Sequence, residues 1–137
     1  MATILVTDGE QRATLAVVRS LGRAGHRVLV TSDRTRSLAG QSHYAAGQEL
    51  VPDPLADPES YAIALAGIVS RRGVQVVLPV TDASLLSVLE ARTRFGSAAI
   101  PFPDLDRVRQ ANDKALLLSR APEAGIAVPR QLVLETA

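Results

Sequence analysis

The sequence predicts an α/β fold: a doubly wound parallel sheet of strand order 3-2-1-4-5, with helices on both faces and a helical and strand stub at the C-terminal end. Three observations carry that reading. The runs at 4–7, 28–31 and 76–78 are short, β-prone and almost wholly apolar, as strands covered on both faces must be. Stretches of helical periodicity separate them. Strands joined through a helix run parallel, with a right-handed crossover.

The first strand, 4–7, is the expected centre, because it ends abruptly in the polar turn Asp8-Gly9-Glu10 and an apolar-periodic helix follows. That helix spans about 11–24, with Leu15, Ala16, Val18 and Leu21 inward and Arg12, Arg19 and Arg23 outward. Gly25 closes it, and His26 reads as a cation at the helix C-terminus. Residues 28–31 form the second strand, and 32–47 a polar, turn-rich surface connection with one short helical turn. A brief third strand at 49–51 is stopped by Pro52 and Pro54. Asp57 then caps a helix with Pro58 at its first position; Ile63, Leu65, Ala66 and Val69 keep helical spacing to Arg71, and Gly73 ends it.

After the fourth strand, 76–78, a helix is predicted from about 83 to 94, with Leu85, Leu86, Val88 and Leu89 as its buried stripe. A weak fifth strand follows at 98–100, then the stiff connector Pro101-Phe102-Pro103. Asp104 is expected to cap a helix to Gln110, and Asn112 another from Asp113 to about Arg120. Pro122 would cost about 3 kcal/mol inside that helix, so the helix must break or kink there. Residues 131–134 read as a last strand with no partner after it, so the architecture looks cut short and the strand would add to another copy or stay unpaired. These limits divide the chain into 1–110 and 111–137.

Composition excludes several classes of function. With 137 residues the chain buries roughly two-thirds of its unfolded surface, enough for a core without staples. No cysteine is present, which removes disulfides, zinc–thiolate sites and thiol nucleophiles. A net charge of +1, two Phe and two Tyr give neither the charge nor the rings for nucleic acid. Apolar runs stay far below the ~20 residues of a membrane helix, and no signal-peptide layout precedes the first strand, so the expected location is the cytoplasm. Of fifteen Lys and Arg residues only Lys114 is lysine.

In a sheet of this order the switch point falls between strands one and four. The turns leaving them hold Asp8, Gly9 and Glu10 on one side and Thr81, Asp82 and Ser84 on the other. Amides at the two following helix starts favour an anion there, a substrate carboxylate or phosphate, with Arg12 and Arg34 as clamps. The simpler account makes Asp82 an N-cap and Arg12 a solvated side chain. A dinucleotide is not expected. The turn after strand one has one glycine and two acids where the three-glycine fingerprint would lie, although Asp33 does end strand two. The two histidines have no triad partners, and no cluster has metal-ligand spacing.

Three stretches together resemble the front end of an ATP-grasp enzyme, the carboxylate–amine ligase superfamily that includes carbamoyl phosphate synthase and biotin carboxylase. The first is Ile4-Leu5-Val6-Thr7-Asp8-Gly9 with Arg19-Ser20-Leu21-Gly22-Arg23-Ala24-Gly25-His26, similar to the opening of the Rossmann-like pre-ATP-grasp domain. The second is Leu78-Pro79-Val80-Thr81-Asp82-Ala83-Ser84-Leu85. The third is Asn112-Asp113-Lys114 followed by Ala124-Gly125-Ile126-Ala127-Val128-Pro129, which looks like the entry into the ATP-grasp fold itself.

The resemblance implies that Lys114 contacts ATP phosphates, with Asn112 and Asp113 holding the helix start that presents it. It also implies ATP and Mg2+ as cofactors, a small carboxylate activated as an acyl phosphate, an attacking amine, and dimer contacts through the front domain. Pro122 and Ala127 depart from the pattern. The second phosphate-binding lysine, the glycine-rich lid and the magnesium ligands are not in this sequence, and phosphoryl transfer needs them. The chain alone is therefore expected neither to bind these cofactors tightly nor to catalyse, and the rest of the enzyme would come from the same polypeptide or a separate subunit. The rival reading is a stand-alone Rossmann-like module that docks a separate catalytic partner.

Overall fold

The structure is a computed structural model and describes residues 1–130. It contains two compact units, Met1–Phe102 and Pro103–Ala137. In the first, β1 (Thr3–Val6), α1 (Arg12–Arg23), β2 (Arg27–Ser32), β3 (Ala45–Leu50), α2 (Pro58–Arg72), β4 (Val76–Leu78) and α3 (Asp82–Glu90) follow in order. All strand pairs are parallel and the sheet order is β3-β2-β1-β4. The expected fifth strand shrinks to a single parallel bridge between Val76 and Ala99, closed by Val77 N–H to Ala99 O at 2.9 Å and Ala99 N–H to Gln75 O at 2.8 Å.

β1 is central because its residues can be buried from both sides. Ile4 lies beside Val28 and Val76, Leu5 beside Leu29 and Val77, and Val6 beside Val30 and Leu78. Alternation sends Ile4, Val6, Val28 and Val30 to the face where Val18 of α1 is buried, with Leu15 and Leu21 packed beside it. Leu5 points the other way, as does Thr7, whose hydroxyl bonds Ser84 of α3 at 3.1 Å. Leu65 and Ile68 of α2 and Val88 of α3 are fully buried as well.

The helix ends follow their local chemistry. Asp57 accepts from Ser60 N–H at 3.0 Å ahead of Pro58, and Gly73 closes α2 at φ +59°. Glu49 on β3 pairs with Arg71 at 3.8 Å and with Arg72.

Several expectations need correction. Strand three begins at Ala45, four residues before its predicted start, because its residues have weak β propensity and pair only by virtue of β2. Ala16 and Ile63 face solvent, Ile63 at 52% exposure; the inward positions include Thr14 on α1 and Tyr61, Ala62 and Ile68 on α2. α3 stops at Glu90, and a 3-10 turn carries Arg92–Phe95. Its cap is Thr81, not Asp82: Thr81 and Ser84 form a capping box and leave Asp82 exposed at the first helical position. His26 also has a tertiary role, its Nδ1 accepting from Ala2 N–H at 3.2 Å.

In the second unit α4 spans Leu105–Asn112, capped by Asp104, and α5 spans Lys114–Arg120. Asn112 is the last residue of α4 and not a cap. Asp113 caps α5, accepting from Leu116 N–H at 3.0 Å. The predicted break is observed: α5 ends at Arg120, and Pro122 lies in a 3-10 turn closed by Gly125. The predicted strand at 131–134 lies outside the described residues.

Candidate functional site

The chain leaves β1 through Thr7 and turns at Asp8, which holds the left-handed backbone conformation at φ +59°. A non-glycine residue pays for that geometry unless its side chain is held, and Asp is among the residues that tolerate it best. Here the carboxylate is held thoroughly. Oδ2 accepts from Val80 N–H at 3.1 Å, Thr81 N–H at 2.9 Å, Ser84 Oγ at 2.6 Å and the Thr7 hydroxyl. Oδ1 accepts from Thr81 Oγ1 at 3.1 Å. Asp8 therefore ties the end of β1 to the start of α3 across 73 residues of sequence.

Gly9 is required by close approach. A Cβ there would lie 2.3 Å from Ser37 Oγ and 2.9 Å from Val30 Cγ1. Its N–H donates to Thr31 O at 2.9 Å, and its carbonyl accepts from Ala39 N–H at 2.8 Å. The loop 32–44 is thus packed down against the turn.

The two helix starts at the crevice differ. α3 has its capping box, and Asp8 takes the amides just before it. The N-cap position of α1 is Gln11, whose side chain makes no capping hydrogen bond, and the helix has no acid in its first turn. Thr14 sends its hydroxyl back to Thr7 O at 2.9 Å and Asp8 O at 2.8 Å, locking the turn from below.

A cleft of about 230 Å3 opens beside the carboxyl ends of β1, β2 and β3. Of the residues expected at the site, Asp8, Gly9, Glu10 and Thr81 line it, whereas Arg12, Asp82 and Ser84 do not. Arg34 is outside the lining too; it faces Glu10 at 3.9 Å with most of its side chain in solvent. Glu10 also accepts from Ser32 Oγ at 3.3 Å.

Thr31, Asp53 and Tyr61 are among the wall residues that the sequence reading did not place at the site. Burial, and then the nearby Asp8 charge, push the Tyr61 phenol well above its ordinary value, while the Thr7 and Ser84 hydroxyls pull the other way. The Thr7 and Ser84 hydroxyls are the polar neighbours of the Tyr61 phenol, but neither meets it in good hydrogen-bond geometry, and Thr31 Oγ1 likewise has no partner among the described residues. A tyrosine on a buried helix face was the available signal, since such a hydroxyl ordinarily finds a partner. No cluster of three His, Asp or Glu residues able to hold a metal is present among the described residues.

Lys114 is exposed at the first position of α5, preceded by the Asp113 cap and by Asn112 at the end of α4, both exposed. Arg120 donates to Gln110 Oε1 at 2.8 Å, joining the two helices.

No family model and no curated protein matches the sequence. Solved structures do. N5-carboxyaminoimidazole ribonucleotide synthetase from Thermotoga maritima matches with a TM-score of 0.68 at 21% identity over 98% of this chain. L-amino acid ligase from Bacillus licheniformis matches with a TM-score of 0.71 at 11% identity over 94% of this chain. The biotin carboxylase subunit of pyruvate carboxylase matches with a TM-score of 0.68 at 13% identity over 93% of this chain. This chain shares their fold. It spans about a third of each of those proteins: 34%, 32% and 29% of their lengths. No described helix is long and apolar enough to cross a membrane.

Proposed function

We propose that this chain is the front portion of an ATP-dependent carboxylate–amine ligase of the ATP-grasp type, with 1–110 as the pre-ATP-grasp domain and 111–137 as the entry into the grasp fold. The observation that carries the reading is a convergence. The three stretches resemble a superfamily that includes biotin carboxylase, and a biotin carboxylase subunit is among the structures with the same fold. In this reading Gly9, Glu10 and Thr81 form one wall of a substrate site. Asp8 and Ser84 keep that wall in place, and Arg12 and Asp82 flank it from the two helix starts.

Lys114 contacts ATP phosphates, with Asn112 and Asp113 setting the helix start that presents it. An exposed ammonium is available for that task. Magnesium ligands and the second phosphate clamp then belong to the rest of the enzyme, in the same polypeptide or a separate subunit, where ATP activates a small carboxylate as an acyl phosphate for attack by an amine. Its place is the cytoplasm.

The isolated chain does not turn over ATP. The test is ADP release by the purified chain with and without Mg2+; magnesium-dependent hydrolysis that disappears in Lys114→Ala would overturn the proposal.

A further inference from the structure

The turn that ends β1 carries a chemically labile pair of residues. Asp8 is followed by Gly9, and no other Asp or Asn in the sequence precedes a glycine. Glycine has no side chain to shield its amide nitrogen or restrict its backbone, so an unconstrained Asp-Gly pair closes readily into a five-membered ring. The chemistry needs only water. Gly9 N attacks Asp8 Cγ, the N–H bond breaks, and the carboxyl hydroxyl leaves with that hydrogen as water. The succinimide so formed takes one water back. Cleavage between Cγ and the nitrogen restores aspartate. Cleavage between the Asp8 carbonyl carbon and the nitrogen leaves the chain running through Cβ and Cγ, as isoaspartate.

The fold holds both reacting groups. The Asp8–Gly9 peptide is fixed at each end: Gly9 N–H donates to Thr31 O at 2.9 Å, and Asp8 O accepts from Gln11 N–H at 2.9 Å and the Thr14 hydroxyl at 2.8 Å. Five donors from Thr7, Val80, Thr81 and Ser84 fix the carboxylate separately. The two sets also pull in opposite directions. β2, which carries Thr31, and β4, which leads into Val80 and Thr81, flank β1 on opposite sides. Ring closure must therefore break bonds of both sets, since Cγ has to come onto the nitrogen while the peptide turns.

We infer that Asp8-Gly9 is an isoaspartate-forming site that the fold keeps closed, opening only when the tie between β1 and α3 lets go. The inference stands whatever substrate the crevice takes. Isomerisation here dismantles the crevice wall. It adds a carbon to the main chain where Asp8 holds φ +59°, and it removes the side-chain carboxylate that reaches Val80, Thr81 and Ser84. Buried Gly9, whose missing Cβ would stand 2.3 Å from Ser37 Oγ, has no room to absorb the change.

The test is ageing of the whole chain at neutral pH, native and in concentrated urea, with isoaspartate located by electron-transfer fragmentation of its peptides. Isoaspartate accumulates at position 8 in urea, and at least about tenfold more slowly in the native chain, where only the opened fraction reacts. Ser84→Ala, which removes one carboxylate donor, speeds the folded chain by about threefold or more. Hydrogen exchange of the Gly9 amide rises by the same factor, because the same opening frees it from Thr31 O. Should Ser84→Ala not fold, the native chain in sub-denaturing urea supplies the comparison, with isomerisation and Gly9 exchange rising together. Equal accumulation in the native and urea samples overturns the inference, as does none at position 8 in urea. Isomerisation that proceeds while Gly9 exchange stays unchanged overturns it too, as does a folded Ser84→Ala that ages at the native rate.

Discussion

Two helices begin at the same crevice, and the chain finishes them in opposite ways. At α3, Thr81 and Ser84 cap each other while the Asp8 carboxylate takes the amides of Val80 and Thr81. At α1, Gln11 supplies no cap and no acid follows in the first turn. An anion could be drawn to either start. The chain has placed its own at one of them, so the α3 side is architecture.

Removing the internal anion should have the largest effect. Asp8→Ala removes the acceptor that two amides and three hydroxyls share, so it should cost about 3 kcal/mol or more, measured by denaturant unfolding. Near wild-type stability would mean that solvent already serves those donors. Gly9→Ala forces a methyl group onto Ser37 and Val30 and should cost about 1–3 kcal/mol; the added substitution Ser37→Gly should return part of it. Failure of that rescue would place the clash elsewhere.

A paired substitution sharpens the comparison between helix starts. Thr81→Ala should cost about 1 kcal/mol as a lost cap, whereas Gln11→Ala should be near neutral and Gln11→Ser stabilising. Equal losses at both ends would show that α1 is capped as well. The smallest effect is a pH dependence. Tyr61 ionises less readily folded than unfolded, so its contribution is complete below about pH 10, the ordinary phenol value, and is lost as pH rises toward the higher folded value. Thermal melts between pH 9 and 11 should fall more steeply for the native chain than for Tyr61→Phe.

The legible parts of the fold were those that local chemistry dictates. Continuous apolar runs marked β1, β2 and β4 as doubly covered strands, and Asp57-Pro58 with Gly73 bounded α2. Pro122 ended α5 for the reason it ends helices generally. β3 was misplaced because Ala45, Ala46 and Gly47 are strand only through pairing with β2, a long-range contact with no local signal. The cap positions slipped by one, to Thr81 and Asp113, because adjacent Thr-Asp and Asn-Asp pairs each offer two candidates.

At the site, Asp8 and Thr81 read as a pair of turn residues. That one would bind the other was invisible across 73 residues. Tyr61 lay outside the stripe read for α2, and only its being a tyrosine on a helix hinted at a buried hydroxyl.

The central claim is that Lys114 serves an ATP site completed by the rest of an ATP-grasp enzyme. The most direct measurement is ADP release by this chain joined to a polypeptide supplying the grasp fold, with Mg2+, carboxylate and amine present. The account predicts release that needs all three and falls by at least about tenfold in Lys114→Ala, the loss of a charge-assisted phosphate contact. Release at the native rate with alanine at that position would contradict it.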